Sequence, residues 1–435
     1  MKRLLTTILS IGVMLISSWL ASQNHIAGVS ADVQMEPESP KNLRISPISV
    51  TVENLPDKSD ENEFSWGEVY FRLGTFDRDL SKYQLVRLPG QCVIGEIECP
   101  QPEEIQTPFD PKNIDRLDWS PDGKKAIVFE VFDEEVDWGI RQAPPSRIHL
   151  FDAEEETWTT IFESTENVLG SGHGTKWSLD GQWIAFTLHN IISGNGVEVV
   201  DELYVVRPDG TDMKKLFSPA TPLFSWSGET LLLQAPDHRY DSNSEDLYAY
   251  YQDMAIYSIN PETSETIALF KPDRFAYLFP SPNGKFLAYA DQQSKHNPIP
   301  IKEIRLFDPS GNLIQSLGSY SNQYTGIYPV RWSPDSSLIA FGNFGKMYIA
   351  KPGDQPIEVY QADDSHVQPG IYSAVFSPDG SHLLMDVYDG RPKFVVVSAD
   401  GDKQNEVTWA GQQEAEIQGL IQQPGSPSWR PIVSP

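Results

Sequence analysis

The sequence predicts an all-β fold, a seven-bladed β-propeller of four-stranded antiparallel blades, and three observations carry the prediction. A hairpin first seen at residues 116–130, RLDWSPDGKKAIVFE, recurs along the chain at a near-constant interval. Each full interval holds four short strand candidates and no useful stretch of helical periodicity. Strand candidates left over at the two ends complete one more blade.

The hairpin explains itself residue by residue. An alternating run ends in Trp119, the turn Ser120-Pro121-Asp122-Gly123 follows, and an apolar run leaves it. Pro presets φ, Asp caps the turn with its own side chain, and Gly takes a positive φ. Copies stand at Trp177-Ser178-Leu179-Asp180-Gly181, Trp226-Ser227-Gly228, Pro280-Ser281-Pro282-Asn283-Gly284, Trp332-Ser333-Pro334-Asp335-Ser336 and Phe376-Ser377-Pro378-Asp379-Gly380, with a truncated one at Ser428-Trp429-Arg430-Pro431. Successive spacings are 58, 49, 54, 52, 44 and 53 residues. A period of about 50 with four strands per unit is propeller spacing.

In chain order, residues 1–31 read as a secretory leader. Lys2 and Arg3 precede an apolar core at 4–20, and Val29-Ser30-Ala31 offers small residues for cleavage. An uncleaved N-terminal anchor is the alternative. Residues 32–65, rich in Pro, Glu, Asp, Ser and Asn, form a polar linker, in which 43–52 offers one edge strand. The propeller occupies 66–435. Strands are expected at 67–73, 83–88 and 92–97. In the second unit they fall at 175–178, 183–188, 202–207 and 213–217, and in the fourth at 276–279, 286–290, 303–307 and 313–317. The copy at Trp429 has one strand only. A closed ring leaves no sheet edge, so this strand becomes the innermost strand of the blade begun by the N-terminal three. Six blades with the C-terminal piece outside is the alternative.

The chain has 435 residues, 33 Lys plus Arg against 61 Asp plus Glu, and a net charge of −28. Such acidity repels phosphate backbones and excludes nucleic acid as a natural partner. Aromatic residues at 11% and 34 prolines suit strands and turns. The two cysteines, Cys92 and Cys99, are expected to form a disulfide in an oxidising compartment, secreted or periplasmic, with two free buried thiols as the alternative. Membrane attachment is expected only if the leader stays uncleaved, and the protein is expected to be monomeric.

The repeated W-S-P-D-G hairpin, over residues 65–431, resembles that of the TolB family of WD-like propellers. The resemblance implies a propeller whose Trp packs between blades. It also implies a scaffold or binding role. Some TolB-like seven-bladed propellers are metal-dependent pectate-fragment lyases, which implies a second possibility. TolB itself carries an α/β domain before its propeller, where this chain has its linker.

In a four-stranded blade the turns after strands one and three share a face, and the Ser-Asp turns all lie there as scaffold. The loops after strand two and the crossovers lie on the other face, and they are long and varied except in the fifth and sixth units. There Asp137, Trp138, His189, Asp237, His238 and Tyr240 are the candidate binding surface for a protein or glycan of the cell envelope, without catalysis or cofactor. The alternative is a metal-dependent polysaccharide lyase or hydrolase, with a divalent ion held by His173, His189, His238, His296 and His366. No HExxH spacing, EF-hand loop, G-x-S-x-G elbow, sialidase Asp-box or glycine-rich phosphate loop occurs. The non-enzymatic reading is therefore the main expectation.

Overall fold

The computed structural model describes residues 66–76, 81–114, 117–131, 146–164, 168–169, 175–193, 197–220, 224–236, 254–271, 276–291, 303–319, 330–343, 345–363, 370–412 and 421–431. The N-terminal unit, residues 1–56, lies outside them, as do the leader and the linker strand considered at 43–52. Among the described residues no helix is long and apolar enough to cross a membrane.

Seven antiparallel sheets follow one another as blades. Blade 1 begins with β1 (Glu68–Phe76), β2 (Ser81–Pro89), the single helical turn α1 (Gly90–Val93) and β3 (Glu103–Ile105). Blade 2 is β4 (Asp118–Trp119), β5 (Lys125–Val131), β6 (Ser146–Asp152) and β7 (Thr157–Ser164). In blade 3 the innermost strand is broken into β8 (Val168–Leu169) and β9 (Thr175–Trp177), both paired to β10 (Ile184–Ser193), with β11 (Val197–Val206) and β12 (Lys214–Ala220) outside. Blade 4 is β13 (Phe224–Ser227), β14 (Thr230–Pro236), β15 (Met254–Ile259) and β16 (Thr266–Phe270). Blade 5 is β17 (Ala276–Pro280), β18 (Leu287–Asp291), β19 (Glu303–Phe307) and β20 (Leu313–Ser319). Blade 6 is β21 (Val330–Trp332), β22 (Ile339–Asn343), β23 (Lys346–Ala350) and β24 (Ile357–Gln361). Blade 7 is β25 (Gly370–Phe376), β26 (His382–Tyr388), β27 (Pro392–Ser398) and β28 (Gln404–Val407). The last strand, β29 (Ile421–Trp429), returns to blade 1 and pairs with β1. The ring thus has seven blades, not six.

One strand expectation fails. Residues 92–97 are not a strand. The chain makes α1 there, Gly95 adopts φ +86°, and Cys92 and Cys99 are joined in a disulfide. The third strand of blade 1 is β3 instead. The bridge closes a loop whose ends lie 7 residues apart, an entropic contribution of roughly 2–3 kcal/mol. Cys99 pairs by backbone with Trp409 of the neighbouring blade 7 stretch, so the loop is tied across the closing seam.

Blade-to-blade packing follows from strand alternation. Successive side chains of β1 point to opposite sheet faces. Tyr70 meets Trp119 and Phe151 of blade 2, while Phe71 meets Phe394 and Trp409 on the blade 7 side. The repeated tryptophans stitch neighbours together. Trp177 Nε1 donates to Asp118 O at 2.9 Å, Trp226 Nε1 to Lys176 O at 3.0 Å and Trp332 Nε1 to Phe279 O at 2.8 Å. In each case the acceptor precedes the equivalent position of the previous blade. Pro280 and Phe376, which replace Trp in two copies, have no such N–H to give.

The serine of the hairpin turn is its fixed part. Ser120, Ser178, Ser281, Ser333 and Ser377 are all buried. Ser333 Oγ donates to Asp335 Oδ1 at 2.6 Å and accepts from Leu338 N at 2.9 Å, and Asp335 Oδ1 also accepts from Ser337 N. The turns at Ser120, Ser281 and Ser377 repeat this pattern. Burial opposes ionisation of Asp122 and Asp335, but these hydrogen bonds more than offset it and hold both carboxyls below the ordinary carboxylate range. Asp308, in the turn after β19, is held low in the same way by bonds from Asn312 and Ser310.

A testable consequence follows for stability. Ser333→Ala leaves a buried N–H and a carboxylate without their hydroxyl, which should cost roughly 1–3 kcal/mol in a urea unfolding curve. A carboxyl whose folded pKa is depressed contributes stability at neutral pH and loses it as pH falls through the folded value. Unfolding free energy should therefore hold from pH 7 to about 5 and decline below about 4, and Asp335→Asn should flatten that decline.

Candidate functional site

Most residues singled out for binding lie outside the described residues: Asp137, Trp138, His173, Asp237, His238, Tyr240, His296 and His366. The backbone of His189 lies in β10, opposite Asp201 and Val168, in the half of the strand nearer the long-loop face. Neither the proposed binding surface nor the proposed histidine set is brought together among the described residues. No group of three or more His, Cys, Asp or Glu there is placed to hold a metal.

The long-loop face is described where its loops are short, at blades 6 and 7. Its most exposed large side chain is Tyr372, 57% accessible on the innermost strand β25. Its position has a backbone cause. Ile371 pairs with Val387 and Ser373 with Asp386, so Tyr372 is the extra residue of a β-bulge. Strict alternation would put Tyr372 on the side of Ala374 and Phe376, both buried. The bulge re-aims it into the open, as bulges beside functional sites do. Partial burial, with Asp386 and then Tyr388 nearby, pushes its phenol above the usual range.

The outer strands β27 and β28 of the same blade, with the turn before β27, carry a charged framework. Lys393 Nζ lies 2.7 Å from Asp389 Oδ2 and 3.7 Å from Glu406 Oε2, and Arg391 pairs with Glu406. Lys393 and Asp389 are 17% and 9% exposed, so this pair is largely withdrawn from water. Tyr360, on the adjoining edge of blade 6, has its phenol pushed up to about 12 by burial and then by Asp389 and Glu406. This blade therefore carries an exposed tyrosine on its innermost strand and a paired, acid-rich group on its outer strands.

A second polar group went unread in the sequence. Glu130 and His149 are buried in blade 2, with Glu130 Oε2 3.0 Å from His149 Nε2, Arg147 3.6 Å from the same oxygen and Thr160 Oγ1 3.0 Å from His149 Nδ1. Phe109 covers the imidazole at 4.8 Å. Cross-strand polar groups recur at the matching level of other blades, as in Glu202 with Lys215 and Tyr204. This repetition makes the pair a blade-fixing contact. The available signal was Glu130, one charge inside the apolar run 126–132.

No protein-family model matches the chain, and no curated protein matches it by sequence. Solved structures do share its fold. The β-propeller domain of the Trilobed protease from Pyrococcus furiosus, described as having an open velcro topology, superposes with TM-score 0.51 at 13% identity, over 79% of this chain and 94% of that one. The periplasmic gluconolactonase PpgL of Pseudomonas aeruginosa gives 0.52 at 13% identity, over 83% and 98%. TolB from Acinetobacter baumannii gives 0.44 at 16% identity, over 84% and 67%. The chain spans about half, 52%, of the acylaminoacyl peptidase chains it also matches. This protein is a seven-bladed β-propeller. At these identities the likeness is one of fold.

The arrangement in blade 7 predicts a separation of roles. Lys393→Met leaves Asp389 and Glu406 facing each other without their cation, and should destabilise by roughly 1–3 kcal/mol. Tyr372→Ala trims a side chain that is 57% accessible and should leave the melting temperature unchanged within error. A Tyr372→Ala variant that melts several degrees lower would make the tyrosine a structural residue.

Proposed function

We propose that this protein is an exported, non-enzymatic propeller that binds a protein or glycan partner of the cell envelope through its long-loop face. The observation that carries the reading is the contrast between the two faces. The turn face consists of hairpins whose Ser and Asp groups satisfy one another. The opposite face presents Tyr372, freed by a bulge on the innermost strand, and the outer strands of the same blade carry an acid-rich paired group. Aromatic side chains at such a position stack on sugars or anchor peptides, and tyrosine is enriched among binding hot spots. The sequence assigns the loops carrying Trp138 and Tyr240 to the same face. The leader at 1–31 and the Cys92–Cys99 bridge both support an oxidising compartment outside the cytoplasm.

The test uses residues 32–435 on an array of neutral and acidic oligosaccharides, and photo-crosslinking from position 372 in an envelope extract. The reading expects one reproducible ligand class, bound at least tenfold more weakly by Tyr372→Ala and Trp138→Ala variants that melt like the parent. A purified chain that keeps one equivalent of a divalent metal after dialysis and cleaves an acidic oligosaccharide would overturn it in favour of the histidine-dependent enzyme.

A further inference from the structure

The turn face, otherwise uniform scaffold, is interrupted between blades 2 and 3 by a radial groove. Its inner compartment, about 500 Å³, lies between the two hairpin turns. Its outer one, about 780 Å³, runs to the rim between the outer strands of blade 2 and the turn after β11. Lys125, Gln182 and Pro208 border both, so the two are continuous.

The opening has a packing cause. Were a Cβ added to the turn glycine of blade 2, Gly123, it would lie 1.8 Å from Pro431 O, and at Gly284 the clearance to Ser227 Oγ is 2.8 Å. At Gly380 it is 3.3 Å, but at Gly181 the first neighbour is Pro121 at 3.7 Å. At Gly228 nothing lies within 4 Å, so the seam between blades 2 and 3 is one of two loosely packed ones among these five hairpins. It is also where the turn sequence departs: Leu179 stands in the place of Pro121, Pro282, Pro334 and Pro378. Leu179 is 40% exposed, and it lines the groove with Trp177 and Pro121.

We infer that this groove is a docking site for an extended, lysine- or arginine-rich segment of a protein partner carrying an apolar side chain for Leu179. Charge complementarity selects the occupant. The lining includes the carboxylates of Asp122, Asp180, Asp209 and Asp212. Its two cations are paired: Lys125 lies 3.8 Å from Asp152, and Arg207 lies 2.8 Å from Glu262 and 3.7 Å from Asp212 of the groove itself, and stacks 3.7 Å from the Trp183 ring. Hydrogen bonds from Thr211 hold the Asp209 carboxyl below the ordinary carboxylate range. An acidic channel with an apolar floor holds a cationic, intermittently apolar chain and rejects an acidic one.

The probe is a fluorescent octapeptide of alternating Lys and Leu, with a Glu-Leu octapeptide as control, titrated against residues 32–435 by fluorescence polarisation. Saturable binding of the Lys-Leu peptide that weakens with salt is expected, with none of the Glu-Leu peptide. The double variant Leu179→Ser/Asp212→Asn should bind at least tenfold more weakly and melt like the parent. Asn is used because Asp212 adopts φ +53°, which Asn tolerates. Tyr372→Ala should bind the peptide as the parent does, which keeps this test separate from that of the opposite face. Undiminished binding by the double variant, equal binding of the Glu-Leu peptide, absence of binding, or loss of binding by Tyr372→Ala would each overturn the proposal.

Discussion

The antiparallel pairing of β29 with β1 is the contact on which the rest of the ring depends. A propeller is a circle of sheets, each packed on two neighbours, and an unfilled seam exposes two apolar sheet faces at once. The closing strand is fixed at its end by more than ladder bonds. Arg430 donates from Nε to Gly123 O at 2.7 Å, pairs from Nη1 with Glu68 Oε2 at 3.0 Å and lies over the Trp119 ring. One residue thus joins the C-terminal strand, the first strand of blade 1 and the turn of blade 2. Trp429 Nε1 donates to Trp66 O on the same seam. The disulfide loop ties blade 1 to the blade 7 side independently.

Closure explains the division between the faces. All hairpin turns fall at one end of the strands, where a Ser hydroxyl and an Asp carboxylate satisfy the local backbone and leave little unpaired. Crossovers and second loops fall at the other end, where length and sequence vary without cost to the ring. Irregularities of the innermost strands, such as the bulge at Tyr372, can then serve recognition while the outer strands hold the blade. The groove between blades 2 and 3 arises differently, at a loosely packed seam on the scaffold side.

How much of this was legible in the sequence follows from the kind of interaction involved. Periodic features were readable: the strands of blades 3 and 5 fall within a few residues of their expected places, and the orphan strand at Trp429 gave the blade count. They could be read because each depends on alternation and turn chemistry within a few residues. The third strand of blade 1 was misplaced because Val93, Ile94 and Ile97 look like a strand, whereas Gly90 and Gly95 with the Cys92–Cys99 bridge impose a tight turn. Tyr372 was missed because alternation assigns it to the buried side, and only the cross-strand register shows the bulge. Glu130 and His149 were passed over because a buried ion-pairing group depends on a partner strand that sequence spacing does not specify. The groove depends on distances between turns of different blades, which no single hairpin encodes.

The central claim, that closure by β29 makes the ring one cooperative unit, is tested most directly by native-state hydrogen exchange on the purified chain. The amides of β29 and β1 should exchange only through global unfolding, with the same opening free energy and denaturant dependence as those of β5 and β26. If β29 exchanged through a low-energy local opening while the other blades stayed protected, the C-terminal strand would be an appendage and the account would be wrong.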